Sequence, residues 1–490
     1  MKKVFLAVLI VFFATALYAG DKVDPLATTS QATRDKVYKN FGTPQVQFDI
    51  SGEFDARGYY WNNFQDAKDS KTTPTVANSY FQGYLDLWPK LKIGDTLLIS
   101  KLEIAEQKPW ASYSNFNTSD SFDSNSDLYN TSKKTNISVQ RAYIHHDFNE
   151  NFFTEVGLMD GQWWGTTFWD NQQPRWRVKF QDKTPFGVIG ALMEKDAEVG
   201  FQSAVKDQEK DDYNAYAVYG VTKVGTITLE PLIFYVYDSS LTAIIGATSP
   251  AQQSAGLPAG SIILSGIDNG NNGMKVQYYA LASRGKLGPL GMEAELGLKN
   301  YDTKVFLKVA PTAGGAQVTI PGSYTKNDWK EYGGYLNLWL DLDVARVGAM
   351  AAYGSYDKKG GPMKTGSGLD FWDDFKSNLI LGDEKGFGSA TAQDLVGMTV
   401  IKPYVKSVKL GLDKLTGSAS FGYIMSNQDK SKYDGVTAME LDLGVQYMLS
   451  DNLEYKVDGG YAQVSVDKKY WGSSDPDPIM LLRHEIVLTF

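Results

Sequence analysis

The sequence contains no cysteine and only three histidines in 490 residues. The first absence excludes disulfides, cysteine-ligated metals and thiol nucleophiles, whatever the redox compartment. The second leaves little for metal or acid–base chemistry. His145 and His146 are neighbours, and on a strand neighbouring side chains point to opposite faces, so the two cannot share one metal ion. His484 falls on the apolar side of its segment, with no serine placed beside it on that face. The stretch 268–273 (DNGNNG) has Gly270 where a calcium loop wants a ligand and Tyr279 where it wants a bidentate glutamate. No metal, cofactor or catalytic residue is therefore expected, and the protein reads as no enzyme. Long apolar runs are equally scarce. The run at 4–17 follows Lys2 and Lys3 and ends near Ala19, the pattern of a secretory signal peptide cut after residue 19. No second such run exists, which argues against an α-helical membrane protein. Positive charge is short too. Without the two signal lysines, 46 of the 48 basic residues face 57 acidic ones, a formal charge of −11, which speaks against nucleic acid as a partner.

What the chain does have is alternation. In 46–61 (VQFDISGEFDARGYYW), Val46, Phe48, Ile50, Phe54 and Ala56 alternate with Gln47, Asp49, Ser51, Glu53, Asp55 and Arg57, broken only by Gly52. A period of two makes a strand with one greasy face and one wet face. Its length fits a strand tilted across a membrane, which takes about 9–11 residues, and Tyr59, Tyr60 and Trp61 close it where bilayer meets water. The pattern returns through the chain as strand–turn–strand pairs: 80–88 with 96–106, 136–148 with 152–160, 175–182 with 188–195, and 213–221 with 227–237. It continues at 274–282 with 290–301, 332–342 with 344–356, 394–406 with 417–426, and 438–448 with 453–466, closing at 480–490. The connections alternate between tight turns and long polar loops, the longest at 238–273, 302–330 and 357–393. The expectation is an all-β fold: a transmembrane antiparallel β-barrel of about 18 strands, with 16 as the runner-up, short periplasmic turns and long extracellular loops. Residues 1–19 are then a signal peptide, 20–44 a periplasmic leader in which 33–41 could form one short helix, and 45–490 the barrel.

The last strand carries a family resemblance. Leu482, Ile486, Leu488 and Phe490 alternate with Arg483, Glu485, Val487 and Thr489. An amphipathic strand ending in phenylalanine resembles the terminal strand of Gram-negative outer-membrane porins. About 18 strands resemble the substrate-selective porins or the exopolysaccharide-export barrels. The resemblance implies a cell outer-membrane location with both termini periplasmic. It also implies outer-membrane lipid and lipopolysaccharide around the wall, recognition by the barrel-assembly machinery, and a possible homotrimer. The enteric loop-three motif is absent, and 160–174 (DGQWWGTTFWDNQQP) stands in its place, so the resemblance leaves open whether a constriction loop folds inward there.

Alternation also names the lumen. Arg175, Arg177 and Lys179 form a ladder opposite the lipid-facing Trp176, Val178 and Phe180, with Arg141 and Glu155 on the strands before. Pairing with Glu155 or Asp147 would make the ladder structural; left open, it would guide solutes. Glu293, Glu295 and Asp341, with Glu440, Asp442 and Asp458, are acidic lumen candidates, so a basic wall could face acidic ones and set ion selectivity. Tyr335 and Trp339 share a face with Asn337 and Asp341 and are candidates for solute contact. Trp163, Trp164, Phe168, Trp169 and Trp176 read as an interfacial girdle ahead of a sugar platform. Eighteen strands about 4.8 Å apart and tilted about 40° give a diameter of roughly 35 Å, too wide for side chains to fill. The reading is a porin passing small hydrophilic solutes or ions by diffusion. The alternatives are an export channel for an acidic polysaccharide and a structural or adhesive surface barrel.

Overall fold

The computed structural model describes residues 46–62, 77–109, 137–159, 164–168, 174–197, 213–238, 244–245, 262–266, 273–310, 318–319, 325–355, 377–381, 397–427, 435–467 and 475–490. The expected signal peptide, the leader with its helix, and residues 268–272 lie outside them. The strands in chain order are β1 (Val46–Asn62), β2 (Ala77–Ile93), β3 (Thr96–Pro109), β4 (Ile137–Asp147), β5 (Phe152–Met159), β6 (Arg175–Thr184) and β7 (Gly187–Ala197). Next come β8 (Tyr213–Val224), β9 (Ile227–Asp238), β10 (Ile244–Ile245), β11 (Ile262–Gly266), β12 (Gly273–Leu287), β13 (Leu290–Ala310) and β14 (Val318–Thr319). The last are β15 (Thr325–Asp341), β16 (Arg346–Gly354), β17 (Met398–Lys409), β18 (Leu415–Ser426), β19 (Thr437–Ser450), β20 (Leu453–Ser465) and β21 (Ile479–Thr489).

Strands β1–β9, β12, β13 and β15–β21 each pair antiparallel with the next, and β21 returns to β1 with Glu53 opposite Thr489 and Asn62 opposite Met480. The wall is thus a closed 18-strand antiparallel barrel with no free edge. The eighteen strands are those read from alternation, and the sixteen-strand alternative falls away. The short β10, β11 and β14 stand outside the ring; β11 and β14 pair with the far end of β13 and prolong the wall past the long-loop rim.

Hairpin chemistry sets the other rim. Gly94, Gly225 and Gly288 each take the first of two turn positions with φ near +60°, the arrangement of a type II′ turn, whose twist matches that of its strands. Both described ends of the chain lie on this short-turn rim, where Gly52 and Phe490 exchange backbone hydrogen bonds of 2.8 and 3.0 Å.

The wall is inside-out relative to a soluble protein. Along β19, Ala438, Glu440, Asp442 and Gly444 are buried, while Met439, Leu441, Leu443 and Val445 between them are exposed. Apolar side chains therefore point outward and acidic ones inward, as a wall between lipid and lumen requires. Strand β1 does the same: Phe48, Ile50 and Phe54 are exposed outside, and Asp55 is buried inside. On that outer face His484 lies over Gly58, in edge contact with Phe81 at 5.5 Å.

One sector departs from this rule. The lumen face of β8, β9 and β12 carries Ala215, Ala217, Tyr219, Leu232, Phe234, Val236, Val276 and Tyr278, all buried. These strands are apolar on both faces, as in a sheet covered on both sides. Something packs against them from within.

Candidate functional site

The charged lumen residues mostly neutralise one another locally. Arg57 bonds Glu485 at 2.6 Å and Asp55 at 2.5 Å, Lys101 meets Asp86 at 2.9 Å, and Arg483 meets Asp458 at 3.0 Å. In the predicted ladder, Lys179 pairs with Glu155 at 3.0 Å. Arg175 and Arg177, however, converge on Glu194 of β7, at 2.7 and 2.5 Å, and all three are buried. The expected partners, Glu155 and Asp147, lie on β5 and β4, whereas the partner of both arginines lies on the following strand, β7. Glu155 also accepts His145 Nδ1 at 3.2 Å. One basic wall opposed to acidic walls is replaced by ion pairs within a strand or between neighbouring strands.

The other predicted residues take these places. Arg141 sits half-buried on β4 opposite Lys101 of β3. Glu293 accepts Tyr335 Oη at 3.2 Å. Trp339 lies flat over Gly291, where a Cβ would strike its ring, and the Arg346 guanidinium stands 5.1 Å from the ring centre. Asp341 bridges Lys286 at 3.2 Å and Arg346 at 2.6 Å near the short-turn rim. Glu295 is fully buried and belongs to a different arrangement.

Residues 164–168, between β5 and β6, lie inside the barrel. Glu295 Oε2 accepts both the backbone N–H and the hydroxyl of Thr166 at 2.8 Å. Glu230 accepts the Gly165 N–H at 3.3 Å and pairs with Arg284 at 3.0 Å, while Arg284 donates to the Gly165 carbonyl. Phe168 stacks on Tyr335, with centroids 6.0 Å apart and planes 10° apart, and the close approach needs Gly333 beneath it. Trp164 and Phe168 join the apolar cluster that includes the inner faces of β8, β9 and β12.

This geometry settles one open point and corrects one expectation. The segment does fold inward despite lacking the enteric motif, because wall carboxylates, rather than a loop signature, hold it. Trp164 and Phe168 are buried in the lumen and do not belong to a lipid-facing girdle; Trp176 alone of the described cluster is 62% exposed on the outer face. Trp163 and Trp169 lie outside the described residues. The sequence did carry a signal: the loss of alternation in Leu232–Ile233–Phe234–Tyr235–Val236 marks a wall section covered from both sides.

A second inward stretch comes from between β16 and β17. Glu440 accepts the N–H of Ile380 at 2.6 Å on one oxygen and that of Leu381 at 2.8 Å on the other. Asp442 accepts the N–H of Leu379 at 3.4 Å, and Lys402 donates to the Ser377 carbonyl at 2.7 Å. Ile380 and Leu381 are buried. The expectation that the long loop 357–393 could fold in thus holds at 377–381, but Glu440 and Asp442 bind loop backbone.

No family model matches this chain, and no curated protein matches it. Solved structures do resemble it. OccAB3 of Acinetobacter baumannii aligns at 9% identity and a TM-score of 0.48, over 90% of this chain and 100% of that one. The outer membrane protein opdK of Pseudomonas aeruginosa aligns at 11% and 0.44, over 90% and 99%. OmpT, an outer membrane protein of Vibrio cholerae in trimer form, aligns at 9% and 0.38, over 91% and 99%. At such identities the likeness is one of fold.

Proposed function

We propose that this chain is an outer-membrane porin through which small hydrophilic solutes or ions diffuse without energy coupling. One observation carries the reading: a closed wall, apolar outside and charged inside, whose lumen is narrowed by two loop segments yet keeps water-exposed charges. Arg284, Lys286, Arg346 and Asp341 have side-chain exposures of 45, 59, 44 and 38% on the short-turn half of the lumen. Charges there act on a passing ion with little screening by protein. The short-turn rim, with both described chain ends, faces the periplasm in this reading. Lipopolysaccharide then surrounds the long-loop half, the barrel-assembly machinery inserts the chain, and copies can associate as trimers. Arg141, Lys179, Glu155, Glu293, Trp339 and Asp341 line the path, while Arg175, Arg177 and Tyr335 are buried behind it and act on it through their packing. Purified, folded protein in a planar bilayer is expected to give discrete single-channel steps. Repeated silence from folded protein overturns the reading.

A further inference from the structure

The outer face of the wall is layered in a particular order on one sector of the long-loop rim. Across hydrogen-bonded neighbours, Lys195 of β7, Asn214, Tyr237, Lys275 of β12 and Asp302 form one row. Tyr216, Tyr235, Gln277, Asn300 and Lys330 of β15 form the row beneath it. Below come Ile233, Tyr279, Leu298 and Tyr332, and then Pro231, Leu281 and Leu296, all exposed. These side chains point away from the lumen, because the residues that alternate with them, such as Phe234, Val236, Val276 and Tyr278, are the buried inner ones. The face thus passes from aliphatic through phenol and amide to ammonium, and all three lysines are exposed.

That order is the order of a lipid surface: acyl chains, then the interfacial zone where tyrosine settles, then phosphate. The opposite sector lacks it. At the same end of β1 and β17–β21 the outward positions are Asn62, Thr399, Met425, Thr437, Gln463 and Met480, none of them cationic. Lys275 pairs with no carboxylate among the described residues; its ammonium stands 5.8 Å from the centre of the Tyr237 ring. Asp302, opposite Lys275 in register, and Asp328 beyond it close the row on the β15 side. Lys195 and Lys275 stand three strand spacings apart, roughly 14 Å, with Asn214 and Tyr237 between them. A soluble anion would have no use for the aliphatic rows, whereas a lipid engages every row at once.

Resting on the outer-membrane porin reading above, we infer that the outer face of β7–β15 is a binding site for a phosphate-bearing lipid headgroup, with Lys195, Lys275 and Lys330 holding its phosphates. The tyrosine hydroxyls and side-chain amides beneath them meet the polar oxygens of the headgroup, and the aliphatic rows carry its chains. The site lies on the far side of the wall from the pore, so its occupant stays out of the solute path.

Folded protein in micelles of an uncharged detergent is titrated with bisphosphorylated lipid A and, separately, with the same lipid stripped of its phosphates. Retained lipid is counted by native mass spectrometry. Lys195→Gln, Lys275→Gln and Lys330→Gln together are expected to weaken retention of the phosphorylated lipid roughly a hundredfold, about fivefold for each lysine. Lys275→Gln alone serves if the triple variant does not fold. The dephosphorylated lipid should bind wild type and variant equally weakly, and Lys414→Gln, at the short-turn rim, should retain lipid as the wild type does. Equal retention by wild type and triple variant, or no preference for the phosphorylated lipid, overturns the site. So does displacement of the lipid by an equal concentration of inorganic phosphate, which would mark a site for free anions. Single-channel conductance in phosphatidylcholine bilayers separates the two readings, since the triple variant should conduct as the wild type does. A silent wild type that still shows lysine-dependent retention fails the porin reading alone, and a conducting wild type without it fails the lipid site alone.

Discussion

Two stretches of loop enter this barrel, and they are fastened on different plans. Residues 164–168 leave the wall between β5 and β6 and are held by β9, β12, β13 and β15, so they reach across the lumen to strands remote from their own. Residues 377–381 leave between β16 and β17 and are held by β17 and β19, so they stay beside their root. The chemistry differs in the same sense. Glu295 gathers two donors of one residue on a single oxygen, and its Oε1 has no hydrogen-bond partner among the described residues. Glu440 spends one oxygen on each of two residues. The crossing segment needs several weaker holds spread over four strands, including an aromatic stack. The near segment is held by hydrogen bonds to β17 and β19 alone, with Glu440 taking two of them. Reach and the number of strands engaged rise together, the crossing segment being anchored on four strands and the near one on two.

Breaking the crossing segment should therefore change the pore most. Glu295→Ala removes two hydrogen bonds to a charged acceptor, worth about 1.5–3 kcal/mol each. A loss of about 3 kcal/mol shifts the docked population by roughly two orders of magnitude. The largest conductance rise of any single substitution is expected, exceeding that of Glu440→Gln, in planar bilayers. Equal rises from the two would show that the crossing segment does not obstruct more than the near one.

Joining the two changes sharpens the comparison. The seats share no partner, so Glu295→Ala and Glu440→Gln should add in their effect on stability to within about 0.5 kcal/mol. Thermal unfolding of the single and double variants in detergent measures this, and a larger coupling would mean that the segments brace each other.

Phe168→Ala comes next. It removes a stack worth about 0.5–1.5 kcal/mol beyond burial but leaves Thr166 on Glu295. A smaller conductance rise is expected, with noisier open levels, recorded on the same bilayer set-up. A rise equal to that of Glu295→Ala would shift the main hold from the carboxylate to the ring.

The wall was legible because membrane strands obey a period of two, which β19 follows from Ala438 to Val445 and β1 follows in its sequence apart from Gly52. The direction of Arg175, Arg177 and Lys179 was legible for the same reason. Their partner was not: Glu194 sits across a turn on a strand read only as 188–195, and which neighbour a lumen side chain chooses depends on the shape of the side chains between. The inward segments were the least legible. Alternation describes the wall, and a loop's path depends on distant acceptors. The sequence does not announce that Thr166, 129 residues before Glu295, will meet it. The useful trace lay in the wall itself, where β9 is apolar on both faces and so predicts a cover.

The smallest effect tests how tightly each seat fits its occupant. At Gly333 a Cβ would lie 2.9 Å from Phe168 Cζ and 3.1 Å from the Tyr353 carbonyl oxygen. The ring is stacked and the oxygen belongs to the barrel ladder, so neither yields easily. At Gly460 the nearest atoms to a Cβ are Cδ1 and Cγ1 of Ile380, at 2.9 and 3.0 Å, the outer part of a side chain that can rotate. Gly333→Ala should thus cost about 1–3 kcal/mol, the usual range for overpacking, and Gly460→Ala less than about 1 kcal/mol. The first should raise conductance by lifting Phe168, and the second should leave it within experimental scatter. Reversal of that order would mean that the near segment is the more rigidly seated of the two, and that two hydrogen bonds on one carboxylate hold a loop harder than several contacts spread across the lumen.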